Sequence, residues 1–200
     1  MTTLQLNTSL FGPGGQSTTL ANEFVARRGG KVIVRDLAKN PVPHLSAERF
    51  AAFLAKPGER TPEQQALVDY SDELIAELRA ADTIVIGLPM YNFSVPSTLR
   101  AYFDHVARAG VTFRYTDKGA VGLLTGKKAY VFVTRGGVYG SEHIHTQYVR
   151  DFLAFVGITD VEFVYAEGLA VSPAAKDSAL ASARKRIAAL ALKTPEAALI

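Results

Sequence analysis

Five short runs of apolar, largely β-branched residues, each followed by a longer stretch of helical periodicity, limit this chain to one kind of architecture. The runs are Thr3 to Thr8, Lys31 to Asp36 (KVIVRD), Thr83 to Leu88 (TIVIGL), Lys128 to Thr134 (KAYVFVT) and Val161 to Ala166 (VEFVYA). Each is apolar throughout rather than alternating, the pattern of strands covered on both faces. Ser17 to Arg28, Thr61 to Ala80, Pro96 to Arg108, Thr146 to Val156 and Ala174 to Leu192 read as helices. Ser17 is a predicted N-cap, while Pro62 and Pro96 stand at first-turn positions, where a missing N–H is tolerated. Strand and helix in alternation predict a doubly wound α/β sheet with right-handed crossovers. Five parallel strands fit the order 2-1-3-4-5 better than the six-stranded dinucleotide order. Either order puts ligands beyond the carboxyl ends of the strands, so the loops after the first, third and fourth strands are where chemistry is to be sought.

Composition closes off several alternatives. The 200 residues are 48% hydrophobic and 20% charged, which predicts one globular domain, residues 1–193, with a C-terminal tail over 194–200. With no cysteine, disulfides, thiolate nucleophiles and cysteine-ligated metals are excluded, so redox chemistry requires an organic cofactor or an oxygen- or nitrogen-ligated metal. No apolar run reaches the ~20 residues of a membrane-spanning helix, and the start lacks a secretory pattern, so the expectation is a cytoplasmic protein without a membrane partner. A net charge of +3 with interspersed signs gives no basic stripe for nucleic acid. Two segments exceed the minimal plan: Pro41 to Arg60, with a short predicted helix at Ala47 to Ala55, and Gly110 to Lys127, which carries Phe113 and Tyr115.

The three loops differ in chemistry. Ser9 to Thr19 (SLFGPGGQSTT) combines glycines with Ser9, Gln16 and Ser17 where the first helix begins, a cradle of neutral donors suited to a phosphate monoester, or else a capped polar turn. After the third strand, Met90, Tyr91, Asn92 and Phe93 set polarisable and aromatic surface beside an amide, stiffened by Pro89 and Pro96. That mixture suits a flat heteroaromatic ring or a subunit interface. After the fourth strand, Thr134, Arg135, Gly136 and Gly137 allow backbone N–H groups to approach a ligand closely. A mononucleotide with a large planar ring, FMN, satisfies all three.

Competing motifs are weaker. Gly12-x-Gly14-x-x-Ser17 nearly matches the dinucleotide fingerprint, but Ser17 replaces a small apolar residue and the glycines lie well past the strand. The Gly122 to Lys128 run is one residue short of a nucleoside-triphosphate loop and precedes a strand rather than a helix. His143-Ile-His145 with Glu142 lacks a further ligand at suitable spacing, so no metal is expected, and the histidines read as solvent-facing. On the helix before the fifth strand, Val149, Phe152, Leu153 and Val156 form a core stripe, and Phe155 lies about 110° from its centre, where it could line a site or an interface.

The segments SLFGPGGQS, PMYNFSVPSTLRAYFD, RAGVTFRYTDKGAVGLLTGKKA, TRGG and FVGI together resemble the FMN-dependent NAD(P)H:quinone reductases that also act as azoreductases, over nearly the whole chain. The resemblance implies a flavodoxin-like fold and a homodimer with active sites at the subunit interface, one FMN per subunit. It implies NADH or NADPH as electron donor, ping-pong transfer to quinones and azo compounds, and no catalytic side chain. Carried over by position, Ser9, Gly15, Gln16 and Ser17 match the phosphate loop, Gly15 standing where serine is common. Met90, Tyr91, Asn92 and Phe93 match the ring-binding loop; Thr134, Arg135, Gly136 and Gly137 meet the ring's polar edge, Thr134 standing where serine is usual. Asn92, Phe93, Tyr115 and Phe155 correspond to residues that wall the substrate space. Two other functions share the fold's features: a one-electron carrier for protein partners, and a sensor that binds a dinucleotide without catalysis.

Overall fold

In chain order the elements are β1 (Thr2–Asn7), a 3-10 turn (Gly12–Gly14), α1 (Gln16–Arg28), β2 (Lys31–Asp36), α2 (Ala47–Leu54), α3 (Pro62–Ala80), β3 (Thr83–Pro89), α4 (Ser97–Val106), β4 (Phe113–Thr116), β5 (Gly119–Gly122), β6 (Lys128–Thr134), α5 (Ile144–Val156), β7 (Asp160–Ala166) and α6 (Pro173–Ala191). This computed structural model describes residues 1–191; residues 192 and 193 of the predicted domain, and the predicted tail, lie outside the described residues. The strands β2-β1-β3-β6-β7 form one sheet, parallel throughout. Counting parallel strands alone, this is the expected 2-1-3-4-5 order. Leu20 and Phe24 of α1 and Leu180 and Ile187 of α6 cover one face of the sheet, while α3, α4 and α5 bury Leu74, Ile75, Leu99, Val149 and Leu153 against the other.

Local signals explain most boundaries. Thr61 and Gln64 form a reciprocal capping box at the start of α3, with Pro62 in its first turn. Helix α1 departs from expectation: its N-cap is Gly15, with no side-chain cap bond, so Ser17 lies within the first turn rather than capping it. The edge strand β2 departs too. Val32 and Val34 are exposed, because α1 packs over β1, β3 and β6 and does not reach the edge.

The Gly110 to Lys127 excursion contains an antiparallel hairpin, β4 with β5, that the sequence pattern does not announce. The Leu124 N–H donates to the Val156 C=O (2.8 Å), joining it to the end of α5. Because α5 returns the chain from the carboxyl end of β6 to the start of β7, the hairpin sits at the amino end of the sheet, away from the loops after β1, β3 and β6.

Candidate active site

The loop after β1 ends in a cradle of free donors. Thr19 N–H donates to Gly15 C=O (2.9 Å), the first bond of α1, so the N–H groups of Gln16, Ser17 and Thr18 precede the intrahelical ladder. The hydroxyls of Ser17 and Thr18 are buried without a hydrogen-bond partner. A buried, unpaired hydroxyl costs free energy, and here two stand beside the positive end of a helix dipole. With Ser9 placed as it is, Gly15 leaves needed room: a Cβ there would collide with the Ser9 side chain. Ser9 Oγ in turn lies 3.4 Å from the Tyr91 hydroxyl, which also accepts from Leu10 N–H at 3.1 Å, so this loop is tied to the one after β3.

After β3 the chain makes a tight reversal in which Tyr91 and Ser94 exchange both backbone bonds (3.1 and 3.0 Å). The two central residues, Asn92 (φ 49) and Phe93 (φ 63), are both left-handed although neither is glycine. That conformation costs about 1–2 kcal/mol per residue, tolerable for asparagine and unusual for phenylalanine. It turns the Phe93 ring outward, 64% exposed, edge-on to Tyr139 at 6.1 Å between centroids. Met90 N–H donates to Thr134 C=O (2.9 Å), which sets this loop beside the one after β6.

The loop after β6 offers backbone amides. The C=O groups of Arg135, Gly136 and Gly137 accept from Leu169, Ala170 and Gly168 (3.1, 3.0 and 2.9 Å). A trans peptide points its N–H opposite its C=O, so the N–H groups of Gly136, Gly137 and Val138 face away from the β7–α6 connection. Among the described residues they have no acceptor. Successive N–H groups turned to one side make an anion-favouring concavity. The Tyr139 ring lies against Gly137, where an added Cβ would stand 3.0 Å from its Cε2.

Arg135 is buried, and its guanidinium is engaged inside the protein. Nη1 reaches Gly140 C=O (2.6 Å) and Glu167 (2.9 Å), Nη2 reaches Thr146 (3.1 Å), and Nε donates to His145 Nδ1 (3.3 Å). His145 therefore carries its proton on Nε2, which donates to Pro89 C=O (3.2 Å). Burial, reinforced by the Arg135 charge, pushes His145 down to about 4. The expectation of a solvent-facing histidine fails here, because both ring nitrogens of His145 have partners within the core.

Ser9, Gly15, Gln16, Ser17, Met90, Tyr91, Asn92, Phe93, Thr134, Arg135, Gly136 and Gly137 thus converge at the carboxyl end of β1, β3 and β6. Tyr115 and Phe155 do not join them. They flank Phe113, with centroids 5.4 and 4.3 Å from its ring, at the amino end of the sheet. The 13 residues of α5 separate that end from the loops by about 20 Å at 1.5 Å per residue. Phe113 itself is buried, against Phe155. Tyr139 and Glu167 are the residues that sequence reasoning passed over. Tyr139 lies two residues past the Gly136-Gly137 pair, whereas Glu167 follows the fifth strand, whose loop carries no motif.

The donor set fits a phosphate monoester joined to a flat ring with a polar edge: unpaired hydroxyls and a helix N-terminus at one point, amides and aromatic surface at the next. A five-stranded parallel sheet in this order, with ligand-competent loops at its carboxyl end, defines the class of flavodoxin-like proteins. The chain belongs to that family, whose model, described as a flavodoxin-like fold, matches residues 1–191. More particularly, it is 54% identical over 193 residues to the FMN-dependent NADH:quinone oxidoreductase of Cellvibrio japonicus (strain Ueda107), covering 93% of this chain and 96% of the relative. Among solved structures it is similar to an azoreductase from Bacillus anthracis str. Sterne (TM-score 0.86, 27% identity, 96% and 98% coverage). It is also similar to an FMN-dependent NADH-azoreductase from Bacillus anthracis str. Ames Ancestor in complex with FMN (TM-score 0.82, 27% identity, 95% and 99% coverage).

Proposed function

We propose that this chain is an FMN-dependent oxidoreductase that carries two electrons from NADH or NADPH to quinones and to aromatic azo compounds by a ping-pong mechanism, drawing on the cytoplasmic pool of reduced nicotinamide. The observation that carries the reading is the pair of buried, unpartnered hydroxyls of Ser17 and Thr18 at the start of α1, set one loop away from an amide concavity. The names of the relatives support its coarser part, FMN, NADH and quinone or azo reduction.

Ser9, Gln16 and Ser17 would hold the phosphate; Gly15, whose N–H already donates to Gly12 C=O (3.1 Å), would contribute by leaving the room that a side chain would fill. Met90, Tyr91, Asn92 and Phe93 would flank the ring. The loop from Thr134 to Gly137 would meet its polar edge, Arg135 acting by holding that loop. The chemistry that bound FMN supplies is two-electron transfer: hydride from the nicotinamide in one half-reaction, two electrons to the acceptor in the other. Three N–H groups aimed at one place favour the build-up of negative charge there. Phe93, left-handed and outward, offers a face to nicotinamide and acceptor in turn, with Asn92 beside it. No side chain is required as nucleophile, and water can supply protons.

The same reading makes the active unit a homodimer. Tyr115 and Phe155 lie at the wrong end of their own chain to wall this site, so only a second copy can bring them to it. Exposed apolar groups at both ends, Phe93, Val138 and Ile144 at one and Tyr115, Val121 and Leu123 at the other, supply surface for that contact.

Initial rates of NADH and NADPH oxidation, with FMN present and menadione or methyl red as acceptor, test the proposal. Acceptor-dependent turnover with parallel double-reciprocal lines, and a sedimentation mass twice that of the chain, are expected. Absence of menadione-dependent oxidation at saturating FMN would overturn it.

A further inference from the structure

The amide loop after β6 is clamped by a carboxylate that belongs to none of the three ligand-facing loops. Glu167, just past β7, accepts the Tyr139 N–H (2.9 Å) and the Gly140 N–H (3.2 Å) on Oε1, which also meets Arg135 Nη1 at 2.9 Å. Its Oε2 lies 3.3 Å from the Gly140 nitrogen. Two backbone N–H groups and a guanidinium thus converge on one carboxylate. Through Arg135 and His145 the same network reaches Pro89, the last residue of β3. Arg135 anchors the incoming arm of the loop through its own backbone, donating to Ala166 C=O at 3.0 Å. Glu167 fixes the outgoing arm. The unpaired N–H groups of Gly136, Gly137 and Val138 lie between the two arms. If Glu167 were removed, Tyr139 and Gly140 would lose their shared acceptor and Arg135 its counter-charge, while nothing at the phosphate end of the site would change.

We propose that Glu167 is a positioning residue for the flavin ring: by clamping Tyr139, Gly140 and Arg135 it holds the Gly136 to Val138 amides in the arrangement that receives the ring's polar edge. The inference rests on the reading of this site as an FMN cradle.

Flavin titration of the full chain by fluorescence quenching, using FMN and riboflavin separately, tests it, with thermal unfolding and the visible circular dichroism of the bound flavin as companion readouts. Glu167→Ala is expected to weaken FMN and riboflavin alike by about tenfold, the loss of one to two hydrogen-bond equivalents, and to alter the flavin dichroism. Glu167→Gln, whose amide oxygen still accepts the two N–H groups, is expected to recover affinity to within about threefold of the unaltered chain. Glu167→Asp keeps the charge but falls one methylene short; weakening of both flavins by about threefold is expected, and it serves if the alanine variant does not fold. Unchanged affinity and dichroism in a folded Glu167→Ala, or in Glu167→Asp where alanine fails, would overturn the inference and leave the FMN reading standing. So would weakening of FMN with riboflavin unaffected, which places the effect at the phosphate, or lowered thermal stability alone, which makes Glu167 a brace without bearing on the ring. An unaltered chain that takes up neither flavin would overturn the FMN reading itself.

Discussion

The loops after β1 and β6 both present backbone N–H groups, and they are built in opposite ways. The first is left open: Gly15 supplies no cap to α1, and the buried hydroxyls of Ser17 and Thr18 have no partner. The second is closed behind its amides, with Arg135, His145, Thr146 and Glu167 bonded to one another and to the backbone. Orphaned donors mark where a ligand completes the structure; a satisfied network marks what keeps a loop in place when no ligand is there. The same residue types therefore carry different expectations under mutation.

The closed network should be the more costly to disturb. Arg135→Met leaves the Glu167 carboxylate without its cation and strands several acceptors, and should cost about 3–5 kcal/mol, lowering the melting temperature by on the order of 10 °C; a melt within error of the unaltered chain would remove the distinction between the loops. A pH titration addresses the same network. His145 sits at about 4 in the fold against its ordinary 6.5, so between those values the unfolded chain binds more protons and stability falls as pH drops through that window. The full contribution is roughly 3 kcal/mol, and His145→Gln should flatten that part of the stability profile.

The open cradle should respond to ligand instead. Ser17→Ala removes an unpaired buried hydroxyl, so the ligand-free chain should keep its stability or gain slightly, while FMN affinity falls about tenfold and riboflavin affinity does not change. Smallest is the strained turn between them. Phe93→Gly relieves a left-handed phenylalanine and should add about 0.5–1 kcal/mol of stability, while removing the aromatic face over the ring. Tyr91→Phe should leave turnover in place once FMN is bound, since the Tyr91 hydroxyl serves to join two loops.

What could be read from the sequence was local. Apolar runs placed the five parallel strands, the Thr61–Pro62 pair placed the start of α3, and Val149, Leu153 and Val156 marked the buried stripe of α5. Burial that depends on neighbours was less legible. β2 has the composition of a covered strand, but its place at the sheet edge leaves Val32 and Val34 in solvent. His145 resembles a loop histidine until Pro89 and Arg135 are brought to its two nitrogens from the end of β3 and the loop after β6. Glu167 carries no motif because its role exists only where the β6 and β7 loops meet. Ser17 looks like an N-cap by type and spacing; what sets it aside is the glycine two positions earlier, whose space is taken by Ser9. The separation of Tyr115 and Phe155 from the loops likewise needed the topology, since α5 alone sets it.

The most direct test of the central claim is an anaerobic visible absorption spectrum of the purified chain supplemented with FMN, recorded before and after NADH or NADPH and again after a quinone. The account predicts uptake of flavin, bleaching by the nicotinamide, and recovery of the oxidised spectrum when quinone is added. Failure to take up FMN, or uptake without bleaching by either nicotinamide, would contradict it.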